Sequence, residues 1–262
     1  MNRTIGWVLL VVILIGGAVA YYYWRQNLQQ PVPPPPAHPT APPAPLSTGP
    51  RHPLETGAAQ PLPVLGESDA AMSEALAGLL GKKPVTEIFF PDLMIRRIVA
   101  TVDNLPRKKA PARMMPVKPV PQPFARAGAW DNAIISPGNL ARYARYVKIV
   151  QAIDAPKLVE VYLRFYPLFQ RAYEELGYPK GYFNDRLVEA LDDLLDAPDI
   201  EGPIKLTQPR VMYEFADPDL EARSAGQKIM IRMGSENAAK VKTKLRAIRD
   251  EVTRRESKLN RR

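Results

Sequence analysis

The chain has 262 residues, with 29 prolines, no cysteine, and a formal charge of +9 that splits into an acidic stretch over 174–199 and a basic one over 240–262. Without cysteine there is no disulfide, thiolate metal site or cysteine nucleophile. Both histidines, His38 and His52, lie in the Pro-rich first quarter, so the rest carries no Ser–His pair, no HExxH and no His-based metal site; P-loop and GxGxxG stretches are also absent, and the sequence implies no metal and no cofactor.

Residues 5–24, IGWVLLVVILIGGAVAYYYW, carry no charge and at about 1.5 Å per residue match the roughly 30 Å hydrocarbon core, so they read as a transmembrane anchor. Tyr21, Tyr22, Tyr23 and Trp24 make an aromatic belt, with Arg25 at headgroup level. A signal peptide cleaved after Ala20 is the competing reading, because Ala18-Val19-Ala20 has the small-residue pattern. The aromatic run beyond that point favours the uncleaved anchor. On that reading the protein is single-pass in the inner membrane, with residues 1–4 cytoplasmic and the C-terminal domain in the periplasm.

Residues 25–66, including PVPPPPAHPTAPPAP, hold hardly any large apolar side chain and are expected to stay disordered. In polyproline II, at about 3.1 Å per residue, such a linker reaches on the order of 100 Å.

A mainly α globular domain is expected over 67–255, with a basic tail over 256–262. Ser68 signals a helix start, followed by Met72, Leu76 and Leu80 at helical spacing and closed by Gly81. A second helix is predicted over 92–104, with Leu93, Ile95, Ile98, Val99 and Val102 inward and Pro106 as its stop. Residues 110–124 alternate proline with Met114, Met115, Val117, Val120 and Phe124, which suits an extended strap rather than a central strand. Ser136-Pro137 opens a helix through Leu140, Tyr143, Tyr146 and Val147 to about residue 153.

The next stretch organises the rest. Leu158, Val161, Tyr162, Phe165, Phe169, Ala172, Tyr173 and Leu176 form one apolar stripe, which Pro167 either kinks or divides. After a turn over 177–181, Leu187, Val188, Leu191, Leu194 and Leu195 mark a second buried face, predicting a helical hairpin at the centre of the core. Residues 204–215 alternate weakly, as one short β-hairpin or a second strap. A helix over 218–233 and a last one from Ser235 follow, the latter with Val241, Leu245, Ile248 and Val252 as a narrow seam for another helix, its own or a partner's.

With histidine and cysteine excluded, carboxylates are the remaining catalytic candidates, and Glu174, Glu175 and Glu214 are the ones to weigh. A tethered helical domain with one glutamate of raised pKa would act as a peptidoglycan-cleaving enzyme, but paired glutamates are common on solvated helix ends. For binding, the turn YPKGYFND supplies Tyr178, Tyr182, Asn184, Asp185 and Arg186, a tyrosine-lined edge suited to a peptide or glycan, although aromatics at helical spacing are more often core. Asn184 or Asp185 also suits helix capping. Asp185, Glu189, Asp192, Asp193 and Asp196 make an acidic face whose last members oppose the helix dipole, and the basic last helix is the cation nearest in the chain.

The segments ESDAAMSEALAGLLG, IRRIVATVDNLPRKKAP, YPLFQRAYEELGYPKGYFNDRLVEALDDLL, EGPIKL, VMYEFADPDLEARSAGQKIMIRMG and ENAAKVKTKLRAIR occur in that order. Together, over about residues 67–250, they resemble a bacterial envelope family catalogued only as domain of unknown function 3014. The resemblance implies a membrane-anchored protein with a Pro-rich linker and supplies no catalytic residue. The expectation is a periplasmic binding or scaffolding module whose partners are the inner membrane and peptidoglycan or envelope proteins. Nucleic-acid binding by the basic tail requires the inverted topology.

Overall fold

The computed structural model describes residues 49–54, 61–129 and 132–259, with side chains through Arg254. The expected anchor over 5–24 and the linker as far as residue 48 lie outside the described residues. Among those described, no helix is long and apolar enough to cross a membrane.

The elements in order are α1 (Asp69–Leu80), α2 (Lys82–Ile88), α3 (Met94–Asn104), β1 (Arg126–Ala127), β2 (Ile134–Ile135), α4 (Gly138–Ala152), α5 (Ala155–Glu175), α6 (Phe183–Leu195), β3 (Leu206–Thr207), β4 (Glu214–Phe215), α7 (Pro218–Glu221), α8 (Ala225–Arg232) and α9 (Ser235–Leu259). The domain is mainly α, and α5 is its axis, packed on α3 and α1 along one side and on α9 along another. Phe165, Leu168, Phe169, Ala172 and Tyr173 of α5 meet Met72, Leu76, Met94, Ile95 and Val99 and are closed off by Phe183. Val159 on the same helix joins Val188 of α6 and Val252 of α9 in a smaller cluster.

Helix α5 is continuous through Pro167, whose exposed position costs one intrahelical hydrogen bond without dividing the helix. It starts at Asp154, which accepts from the Lys157 amide at 3.0 Å, with Pro156 in the first turn. Of the predicted stripe Phe165, Phe169, Ala172 and Tyr173 are buried and Leu158, Val161 and Tyr162 half-buried, while Leu176 lies beyond the last helical residue and is 40 % exposed.

Leu93 is also out of place with respect to its predicted inward position. It adopts a left-handed conformation (φ 53) just before α3 begins and is exposed. Asp69, in the first turn of α1, accepts from the Leu93 and Met94 amides at 2.8 Å each, so the cap of α3 comes from another helix. Ser68 makes no cap at all: its hydroxyl donates to the Leu65 carbonyl.

Helix α2 is unforeseen by the periodicity, since Pro84 falls in its first turn, where a missing amide hydrogen is tolerated. The strap expected over 110–124 opens with a 3-10 turn at Ala112–Met114 and is extended beyond it: Phe90 donates to Pro116 at 2.9 Å, Lys118 to Ile88 at 2.7 Å, and the Tyr146 hydroxyl of α4 to the Lys118 carbonyl at 3.0 Å. Two small antiparallel hairpins form, β1–β2 and β3–β4, so residues 204–215 resolve as a hairpin and 126–135 as a second one. The helix expected over 218–233 is instead α7 and α8, broken where Ser224 caps α8 by accepting from Gln227 at 3.0 Å.

The seam of α9 closes on its own chain. Val241 packs among Val147 of α4, Ala197 and Met230, and Val252 on α5 and α6. The helix runs to Leu259, past the expected boundary at 255. At the other end the domain starts earlier than expected: Leu62 and Leu65 pack against the main core and Leu54 against the Val159 cluster, giving the tail of the linker the apolar anchors that the rest of it lacks.

Candidate functional site

The turn between α5 and α6 is built on stacked rings. Tyr173 and Tyr178 stack with centroids 4.6 Å apart, and Phe169 and Phe183 at 5.6 Å. Gln170 ties the turn to α5, donating to the Gly181 carbonyl at 2.8 Å and accepting from the Phe183 amide at 2.9 Å. Behind it sits Asp103, a buried carboxylate of α3, paired with Arg107 at 3.0 Å and Arg186 at 3.2 Å. Such a buried carboxylate is tolerable because two guanidiniums converge on it.

The first turn of α6 holds a segment of the chain's own linker. Asp185 accepts from the main-chain amides of Arg51 at 3.0 Å and His52 at 2.8 Å. Asn184, 1 % exposed, donates to the His52 carbonyl at 2.8 Å and accepts from the Tyr162 hydroxyl at 3.0 Å. Burial pushes the Tyr162 hydroxyl well above the usual tyrosine range, so it remains a proton donor at any physiological pH. Leu54 then enters the apolar cluster of Val159, Val188 and Val252. Residues 51–54 are thus held by main-chain hydrogen bonds at one end and an apolar anchor at the other. A cleft of about 260 Å³ continues beside Arg51, bounded by Tyr173, Tyr182, Asp185 and Glu189.

Of the five predicted binding residues, Asn184 and Asp185 hold this segment, and Tyr182, 38 % exposed, stands on the cleft wall. Tyr178 and Arg186 face Asp103: the Tyr178 hydroxyl donates to it at 3.4 Å, and Arg186 also pairs with Glu189 at 2.7 Å. Neither Asn184 nor Asp185 caps α6, whose start has no side-chain cap. Tyr162, Gln170 and the linker segment itself were not singled out by the sequence. The signal for the segment was Leu54, a large apolar residue flanking Arg51-His52-Pro53.

The three carboxylates weighed for catalysis do not converge. Glu174 accepts from Gln170 at 3.1 Å, and Glu175 is paired with Arg96 and Arg171. The hydrogen bond from Arg96 leads in holding the Glu175 carboxyl below its usual range, the reverse of what a general acid needs. Glu214 lies on β4 and lines a different cleft. No group of three or more metal-ligating side chains occurs among the described residues.

The acidic face is largely answered from within. Asp192 pairs with Arg249 of α9, Asp193 accepts from Ser224 at 2.7 Å and from Gln227, and Asp196 is exposed. Desolvation raises the Asp193 carboxyl above its usual range.

Helical packing around α5 and two short hairpins define a mainly α domain whose α5–α6 edge holds residues 51–54 of its own chain. The family described as protein of unknown function (DUF3014) matches residues 94–249, and the chain belongs to it. The match takes in α3 through most of α9, including Asn184 and Asp185, and leaves α1, α2 and residues 51–54 outside. No curated protein and no solved structure matches the chain.

Proposed function

We propose that this is a membrane-anchored binding module of the cell envelope, facing the periplasm, whose α5–α6 edge takes a bent Pro-containing peptide. The observation that carries the reading is the seating of residues 51–54. Their hydrogen bonds to Asp185 and Asn184 come from main-chain groups at a bend over Arg51 and His52, with the Arg51 guanidinium 3.9 Å from Asp185, while Leu54 supplies side-chain selection. The occupant in this chain is its own linker, so a partner peptide competes with it. The uncharged run over 5–24 and the proline content of 25–66 support tethering to the inner membrane, with peptidoglycan-associated or other envelope proteins in reach.

The test replaces residues 50–54 of the full chain by Gly-Ser repeats and titrates the vacated groove with a fluorescent Pro-Arg-His-Pro-Leu peptide. Saturable binding that the unaltered chain does not show, and that Asp185→Ala abolishes, is the expected result. A vacated groove that ignores the peptide would sink the reading.

A further inference from the structure

A cleft of about 510 Å³, of the size that small-molecule sites occupy, opens between α4, the C-terminal end of α8 and the β3–β4 hairpin. Two donors on its wall lack acceptors. The Arg232 guanidinium lies over the Phe215 ring, 5.0 Å from its centroid, and among the described residues it makes no hydrogen bond or ion pair. The half-buried Tyr143 hydroxyl likewise has no hydrogen-bond partner among them. Arg232 is half-buried and lines the cleft, so a ligand carboxylate would replace water on its donors, while Glu221 acts on it through space without a contact.

The surrounding charges narrow what fits. Arg142 also lines the cleft, and its guanidinium is taken up by neutral acceptors: the Pro121 carbonyl at 3.2 Å, the Gln122 carbonyl at 2.7 Å and Asn139 at 2.9 Å. Its positive charge is therefore not cancelled at contact distance. Glu221 is closed off by Lys228 at 2.7 Å and by the Phe215 amide at 2.9 Å. Glu214 is a carboxylate on the wall without such a pair, and it disfavours a second negative charge on the ligand. The lip is apolar: Val211 is 86 % and Met212 74 % exposed, far outside what a hairpin tip needs for its own folding.

We propose that this cleft binds a monocarboxylate with an apolar body. The carboxylate lies between the Arg232 fork and the Tyr143 hydroxyl, and the body rests on Met212 and Val211. The Phe215 ring, 5.0 Å from the guanidinium carbon, supports Arg232 from beneath and leaves its donors for the two parallel bonds an arginine makes to a carboxylate. Burial raises the Tyr143 hydroxyl above the usual tyrosine range, so it stays a donor. The site is separate from the α5–α6 edge and does not depend on the reading given to it.

The experiment uses the full chain labelled with 13C-methyl methionine, in which the Met212 resonance is assigned by its loss in Met212→Leu. Phenylacetate should shift that resonance saturably, and its neutral isostere phenylacetamide should bind about tenfold more weakly. Arg232→Gln should weaken phenylacetate by about tenfold or more, and Tyr143→Phe by about three- to tenfold, with the remaining methionines unmoved. N-acetylphenylalanine runs beside it: tighter binding than phenylacetate assigns a peptide C-terminus as the source of the carboxylate, and weaker binding assigns a small free acid. A Met212 resonance unmoved by phenylacetate, or equal affinity for acid and amide, overturns the proposal. The acid–amide comparison is made on the unaltered chain, so it decides the matter even where Arg232→Gln fails to fold.

Discussion

Replacing Asp185 with alanine removes both acceptors that hold the main chain of Arg51 and His52 to α6. Hydrogen bonds to an ionised group are worth about 1.5–3 kcal/mol when sheltered, and the solvent around Arg51 places these at the low end. Two such bonds, less the ordering entropy that the freed residues regain, leave a net loss of about 2 kcal/mol. At about 1.4 kcal/mol per factor of ten, the segment should open roughly 30-fold more often. Amide hydrogen exchange at Arg51 and His52 should accelerate by about that factor, and trypsin should cut after Arg51 correspondingly faster. Leu54→Ala should accelerate the same amides while leaving the Asp185 and Asn184 side chains in place, because it withdraws the apolar anchor from the cluster of Val159, Val188 and Val252. If exchange at Arg51 and His52 is unchanged in a folded Asp185→Ala chain, the segment is not held by these bonds and the reasoning fails.

Gly234 takes φ +85, and a Cβ there would lie 1.9 Å from Leu140 Cδ2. Gly234→Ala should therefore cost about 2 kcal/mol from backbone strain and displacement of that flexible side chain, a fall in melting temperature of about 4–8 °C; an unchanged Tm would count against the α4–α9 contact. Tyr166 and Tyr173 are both pushed up to about 12, chiefly by burial. Their neutral form is favoured when folded, so this stability is intact below about pH 10 and is lost as pH rises toward 12; ultraviolet tyrosinate absorbance should rise together with loss of helical circular dichroism, and tyrosines ionising freely at about pH 10 in a folded chain would refute it.

The parts of the fold that were legible in the sequence are those where one periodicity dominates. Phe165, Phe169, Ala172 and Tyr173 repeat at three and four residues, and they are buried as that spacing demands. The same reasoning failed at Leu93, Leu140 and Leu176, each within one or two residues of a helix end, where the chain leaves the helical register and exposes the side chain. Caps misled for a related reason. Ser68, Asn184 and Asp185 each have the residue type of a local cap, but Ser68 donates back to the Leu65 carbonyl, Asn184 and Asp185 bind His52, and Asp69 caps a helix 25 residues away. Local sequence states what a short polar side chain can accept, not which amide will reach it. The candidate site was half visible for that reason: Asn184 and Asp185 stood out as polar residues in an aromatic turn, whereas their ligand lay more than 130 positions upstream in a segment read as spacer.

The docked segment also changes what a tether of this composition does. A linker ending at residue 61, ahead of Leu62 and Leu65 in the core, and one ending at residue 49 differ by 12 residues, or about 37 Å of polyproline II. On the proposed anchoring, the closed segment keeps the domain nearer the membrane by up to that distance, and its release extends the reach by the same amount. On the same proposal, a peptide that displaces residues 51–54 from Asp185 and Asn184 would lengthen the tether of the domain that captures it. Binding and reach are coupled through one pair of side chains. The coupling is strong only where the internal segment closes with a free energy near that of the competing peptide, and the two Asp185 bonds contribute about 2 kcal/mol of that closure.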